Sequence, residues 1–154
     1  GVYPFVPAFI RHYRGEEPII QNVDTYLLWE DDQRTEVLDR LDELVVKPVA
    51  EAGGKGLVIG PRATGAELDR VRAEVEEDPR TFIAHEVVNL STHPTFVEGG
   101  LYPRHLDLRP FVVAGETVEV VPGGLTRVAL PEGSLIVNSS QGGGSKDTWV
   151  LADS

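Results

Sequence analysis

LVVKPVAEAGGKGLVIG, residues 44–60, decides how the rest of the chain reads. An apolar run, Leu44–Val46, leads into Lys47-Pro48; a loop of small residues follows; a second apolar run, Leu57–Ile59, ends at Gly60. Aliphatic and β-branched residues favour strands, and glycines permit tight turns and close backbone approach. The stretch therefore reads as strand, glycine-rich loop, strand, with a lysine near the end of the first strand. Such a hairpin can lay backbone N–H groups over phosphates while the lysine adds a point charge. The competing explanation is an ordinary hairpin with a solvated lysine.

Outward from this stretch the elements follow in order. On the N-terminal side, Pro7 and Gly15 bracket a short helix carrying Phe9, Ile10 and Tyr13, with His12 on its exposed side. Residues 18–30 read as irregular or extended. Val37, Leu38, Leu41 and Leu44 recur at spacings of three and four, which predicts a helix from Asp31 to Leu44 with Asp31 or Asp32 at its start. Its alternating charges read as a solvated face. On the C-terminal side, Thr64-Gly65-Ala66-Glu67 fits a capping box, and Leu68, Val71 and Val75 give the next helix an apolar stripe. Phe82–Val88 then reads as a strand containing His85 and Glu86.

The last third predicts an antiparallel meander: Leu106–Val113, Val118–Val121, Leu125–Leu130 and Ser134–Asn138, separated by turns at Ala114-Gly115-Glu116, Pro122-Gly123-Gly124 and Pro131-Glu132-Gly133. His105, Asp107 and Arg109 alternate along its first strand and share one face. The Ser/Gly-rich run 138–145 ends in Trp149-Val150-Leu151, an apolar anchor that makes a tethered loop the expectation. The fold class is α+β.

Composition bounds the function. The 154 residues carry 25 acidic and 14 basic side chains, a net charge of -11. That field repels nucleic acid and anionic membranes, though it permits a local basic pocket. No apolar run approaches the roughly 18 residues of a membrane span, and no signal peptide opens the chain. Cysteine is absent, which excludes thiolate sites and is compatible with a reducing, cytoplasmic setting. Methionine is also absent, even at position 1, which suggests a fragment of something longer.

Taken together, LVVKPVAEAGGKGLVIGP, FIAHEVVNLSTHPTF, RHLDLRPFVV, VPGGLTRVAL and VNSSQGGGSKDTWVL resemble the C-terminal part of bacterial circularly permuted ATP-grasp proteins, distant relatives of glutathionylspermidine synthetase. The pair VKP-x5-GKG and NSSQGGGSKD is the specific part. The resemblance implies ATP-grasp-like lobes in a partial domain: a lead-in with two helices over 1–43, a small nucleotide-clamping lobe over 44–91, and part of the C-terminal lobe over 92–154. It implies that Lys47 contacts the α- and β-phosphates of ATP and that Gly53, Gly54, Lys55 and Gly56 fold over the triphosphate. Glu86 and Val87 would occupy the hinge, where Glu86 or the adjacent backbone bonds adenine or ribose, with His85 orienting that segment. Arg109 and Arg127 would face the γ-phosphate or an acyl-phosphate intermediate. Asn138, Ser139, Ser140 and Gln141 would lie near the substrate end.

The implied reaction is ATP-dependent ligation of a small carboxylate to an amine. Its Mg²⁺ ligands, in the family, come mainly from an upstream E-D-N segment that this chain does not contain; Asp107 and Glu132 are the only nearby carboxylates. The isolated chain is therefore expected to be inactive, and an uncovered apolar face predicts self-association. A kinase-type ATP-grasp phosphotransferase and a non-catalytic interaction module are the alternatives, because one fold serves many chemistries.

Overall fold

The computed structural model describes residues 2–51 and 54–151, which fall into two compact units, one reaching to Val88 and one starting at Asn89. In the first unit, α1 (Val6–Arg14) precedes the short strand β1 (Thr25–Leu27) and α2 (Asp31–Asp39). The strands β2 (Leu44–Pro48) and β3 (Val58–Ile59), the helix α3 (Gly65–Glu77) and the strand β4 (Phe82–Glu86) follow. The sheet order is β1-β4-β2-β3, all antiparallel. Strand, loop, strand, helix, strand is the order read from the sequence.

Register divides the residues of this sheet between two faces. Leu44 lies opposite Glu86 and Val46 opposite Ala84, while Val45 lies opposite His85 and Lys47 opposite Ile83. Leu44, Val46 and Ala84 join Val37, Leu41, Val71 and Val75 in the core cluster, so α2 and α3 cover the face that carries Glu86. Lys47 and His85 point to the other face.

The helix from Asp31 stops at Asp39 instead of running to Leu44. Leu41 and Leu44 are buried as the 3.6-residue spacing required, but Leu44 is needed as the first residue of β2, and a turn intervenes. Asp31 and Asp32 occupy the first turn, favourably placed for the helix dipole, while the N-cap position is Glu30 with no side-chain cap. At α3 the capping box forms as read: Glu67 N–H donates to Thr64 Oγ1 at 3.3 Å and Thr64 N–H donates to the Glu67 carboxylate at 2.8 Å. Thr64→Ala is expected to lower stability by about 1 kcal/mol, measured by denaturant unfolding. The same contacts hold the Glu67 carboxyl below its ordinary range. The stability they add is present above that range and fades as pH falls through the depressed value.

The second unit is a meander of β5 (Thr92–Val97), β6 (Gly100–Ala114), β7 (Val118–Val128) and β8 (Gly144–Trp149), paired in that order. It departs from expectation in four places. The strand β5 lies outside the strands read from the sequence; it contains Pro94 and lies at the sheet edge, where a missing N–H is tolerated. Its hairpin turns on Glu98 (φ 52°) and Gly99 (φ 83°), the paired left-handed conformation that a tight two-residue loop requires. Pro122-Gly123-Gly124 is not a turn: β7 continues through it with a bulge, Val121, Pro122 and Gly123 standing against Phe111 alone, and Gly124 lies so close that an added Cβ would stand 3.1 Å from the Arg109 carbonyl oxygen. Ser134–Asn138 is not a strand; the fourth strand is β8, inside the segment read as a loop. Trp149, Val150 and Leu151 are exposed, so they anchor nothing within this unit.

The two edge strands β5 and β8 meet through one side chain. Lys146 Nζ donates to the Pro94 carbonyl at 2.6 Å and lies 3.3 Å from His93 Nδ1. A flat four-stranded sheet would hold these edges about 14 Å apart, so the sheet must curl into a half-barrel. Its inner face carries Thr95, Arg104, Thr126 and Val128, all buried. His105, Asp107, Arg109 and Arg127 lie on the outer face by register.

Candidate functional site

The sequence-derived candidates fall into two groups, one in each unit. In the first unit Lys47 sits one residue from the end of β2, half-buried, on the face opposite the one that α2 and α3 cover. Among the described residues no carboxylate pairs with its ammonium, and burial pulls its pKa below that of an exposed lysine. A cation desolvated without a partner is costly, and an anionic ligand removes that cost. The loop after β2 includes Gly54 (φ 80°) and Gly56 (φ 69°), with Leu57 N–H donating to the Gly54 carbonyl at 3.4 Å. Gly56 also packs against Pro48, 2.9 Å from where a Cβ would stand, so the turn folds back on the lysine strand. Lys55 is exposed and 3.6 Å from Glu51. Gly53 lies outside the described residues.

Glu86 lies on the opposite face from Lys47. Tyr26 Oη donates to Glu86 Oε1 at 2.7 Å, and Arg40 Nη2 stands 3.2 Å from the same oxygen. These contacts hold the Glu86 carboxyl below its usual range, the Tyr26 bond contributing most, and raise the phenol of Tyr26. Both shifts describe one arrangement, a protonated tyrosine donating to an ionised carboxylate. The sign follows for each partner. The stability from Glu86 is lost as pH falls through its depressed pKa; that from Tyr26 is lost as pH rises through its elevated one. In Tyr26→Phe the acid limb of the stability–pH curve, followed by thermal unfolding, is expected to flatten. Val87 follows the end of β4 and is half-buried.

His85 shares the Lys47 face, half-buried, with Nδ1 2.9 Å from the Glu86 carbonyl oxygen. Desolvation, the largest influence, lowers its pKa, with the Glu86 carbonyl hydrogen bond raising it in part and Lys47 lowering it further. Sequence reading gave His85 only an orienting role. The alternation of β4 alone could have placed it with Lys47 once the strand pairing was known.

In the second unit Asp107 and Arg127 are directly opposite on β6 and β7. Asp107 is instead taken by Arg109, whose Nη2 donates to Oδ2 at 2.9 Å. Arg127 Nη1 donates to Ser139 Oγ at 2.8 Å, and its buried Nε–H has no hydrogen-bond partner among the described residues. Ser139 and Gln141 belong to a 3-10 turn; the Asn138 carbonyl closes it by accepting from the N–H groups of Gln141 and Gly143 at 3.0 and 2.9 Å. This brings Asp107, Arg109, Arg127 and Ser139 together as a polar cluster.

ATP and Mg²⁺ fit these residues unequally. The lone half-buried ammonium beside a glycine turn and the orphaned Arg127 Nε–H suit phosphate oxygens. Among the described residues no group of three or more acidic or histidine side chains could hold a metal. A hollow of about 270 Å³ between α2 and α3 is lined by Asp39, Asp42 and Asp69 against one cation, Arg72, so its net negative charge disfavours a triphosphate.

An α+β unit with a lysine strand and glycine loop, followed by a curled antiparallel sheet, is an ATP-grasp type of arrangement. The chain belongs to the circularly permuted ATP-grasp type 2 family, whose model matches residues 1–129. It is 59% identical over 152 residues to an uncharacterized protein of Mycobacterium tuberculosis, covering 98% of this chain and 28% of that one. An uncharacterized protein of Synechocystis is 51% identical over 154 residues, covering 99% of this chain and 32% of its own length. A Frankia casuarinae protein named "Putative glutamate--cysteine ligase 2-2" is 53% identical over 149 residues, 97% of this chain and 17% of that protein. The chain thus spans about a third or less of these relatives. Among the described residues no helix is long and apolar enough to cross a membrane.

Proposed function

We propose that this chain supplies the phosphate clamp and hinge of an ATP-dependent carboxylate–amine ligase, working as part of a longer protein. The observation that carries the reading is Lys47, a half-buried ammonium unpartnered among the described residues, beside a glycine turn in a chain of ATP-grasp family. The ligase name of the Frankia relative supports amide formation, although this segment is 17% of that protein.

In the proposed reaction a substrate carboxylate oxygen attacks the γ-phosphorus of ATP, the bond to the β,γ-bridging oxygen breaks, and ADP leaves. An amine then attacks the carbonyl carbon of the acyl phosphate, inorganic phosphate departs, and the amine loses a proton. Lys47 binds the α- and β-phosphates and the turn through Gly54, Lys55 and Gly56 covers the chain of phosphates with backbone N–H groups. Arg109, Arg127 and the Asn138–Gln141 turn neutralise charge on the transferred phosphoryl group and its acceptor. Catalysis is positioning and charge neutralisation, with no covalent protein nucleophile. In this family Mg²⁺ accompanies ATP, and the described residues include no cluster of three or more acidic or histidine side chains to hold it. Glu86 acts through its backbone, because its carboxylate faces α2.

The test is product analysis on the full-length protein. ADP and inorganic phosphate in equal amounts, released only when a carboxylate and an amine are both supplied, is the expected result. ADP with a stable phosphorylated product and no inorganic phosphate would replace ligase by kinase. No nucleotide turnover with any acceptor would favour an interaction module.

A further inference from the structure

The geometry points to His85 as the residue that recognises the ribose of the bound nucleotide, accepting a hydrogen bond from a sugar hydroxyl at Nε2. The inference rests on the nucleotide-clamp reading above. Because the Glu86 carbonyl can only accept, His85 Nδ1, 2.9 Å from it, must carry the ring proton. Nε2 is then a lone-pair acceptor, and among the described residues no hydrogen bond occupies it. Strand register fixes where it stands. Lys47 lies level with Ile83, His85 is two residues nearer the end of β4 on the same face, and Val87 lies two residues beyond. With phosphates at Lys47 and adenine at the backbone after β4, the sugar falls at the level of His85. Neighbours diagonal on one face of an antiparallel pair are about 7–8 Å apart, a span that matches the step from phosphate to ribose. The acid that would otherwise serve a sugar diol, Glu86, is on the far face and engaged by Tyr26 and Arg40.

The test compares ATP with 2′-deoxy-ATP and 3′-deoxy-ATP on the full-length protein, by calorimetry, for the wild type, His85→Ala and His85→Gln. The wild type is expected to bind at least one deoxy analogue roughly threefold to tenfold more weakly than ATP. His85→Ala should bind ATP and that analogue alike, because removing a hydroxyl costs nothing once its acceptor is gone. His85→Gln, which keeps an acceptor oxygen, should recover part of the discrimination. A wild type that does not discriminate, or a His85→Ala protein that discriminates as the wild type does, overturns the assignment while leaving the clamp intact. Binding that is absent, or indifferent to Lys47→Ala, overturns both.

Discussion

Lys47→Ala is expected to lower kcat/KM for ATP in the full-length protein by about 10²–10³-fold, the loss that follows removal of one preorganised charged donor from a partly desolvated site. The size comes from the position of the residue. Lys47 is half-buried, its pKa is pulled down by that burial, and no described carboxylate pays for its charge. A lysine kept this way destabilises the fold while it is protonated, because the unfolded chain binds that proton more readily. The cost is present below the depressed pKa and disappears above the ordinary lysine value. Lys47→Met should therefore melt no lower than the wild type while losing turnover as severely as Lys47→Ala. A structural lysine would show the reverse, a lower Tm with turnover retained. Lys47→Arg keeps the charge but not the compact ammonium, so only partial recovery is expected.

Gly60→Ala should unfold much of the first unit. Gly60 is buried where β3 ends, and its added Cβ would collide with the Leu41 carbonyl oxygen and stand 2.8 Å from both the Leu44 oxygen and the Asp42 carbonyl carbon. All three are backbone atoms, two in the turn between α2 and β2 and one at the first residue of β2, so no rotamer change relieves the overlap. Overpacking of this kind costs about 3 kcal/mol or more, a large share of the stability of a small domain. The melting temperature should fall by roughly 12–24 °C, read by circular dichroism on the full-length protein or calorimetrically as loss of one transition. Retention of the wild-type Tm would mean that the turn at 40–43 packs differently from the structure described.

These two positions show what the sequence carried. Lys47 and the Thr64–Glu67 capping box were legible because each is a local pattern, a residue type beside a turn or a spacing of three. The helix stripe of Val71 and Val75 was legible for the same reason. Gly60 read only as the end of a strand, since its need to be glycine depends on Leu41 and Leu44, which reach it through tertiary packing. Pro122-Gly123-Gly124 carries strong turn chemistry, and it shows as a bulge against β6; the chain stays extended because Gly123 pairs with β8 and Gly124 with both β6 and β8. In β8 the alternation of Gly144–Trp149 was hidden under a Ser/Gly composition that resembles a tether. The separation of Glu86 from Lys47 is a matter of strand parity across β2 and β4, which only the observed register supplies.

The central claim is that Lys47 holds a nucleotide, and the most direct measurement is isothermal titration of the full-length protein with ATP and Mg²⁺, with Lys47→Ala beside it. Saturable heat in the wild type that is weakened at least about thirtyfold in the folded variant is the predicted result. Equal heats for the two proteins, or none for either, would contradict it.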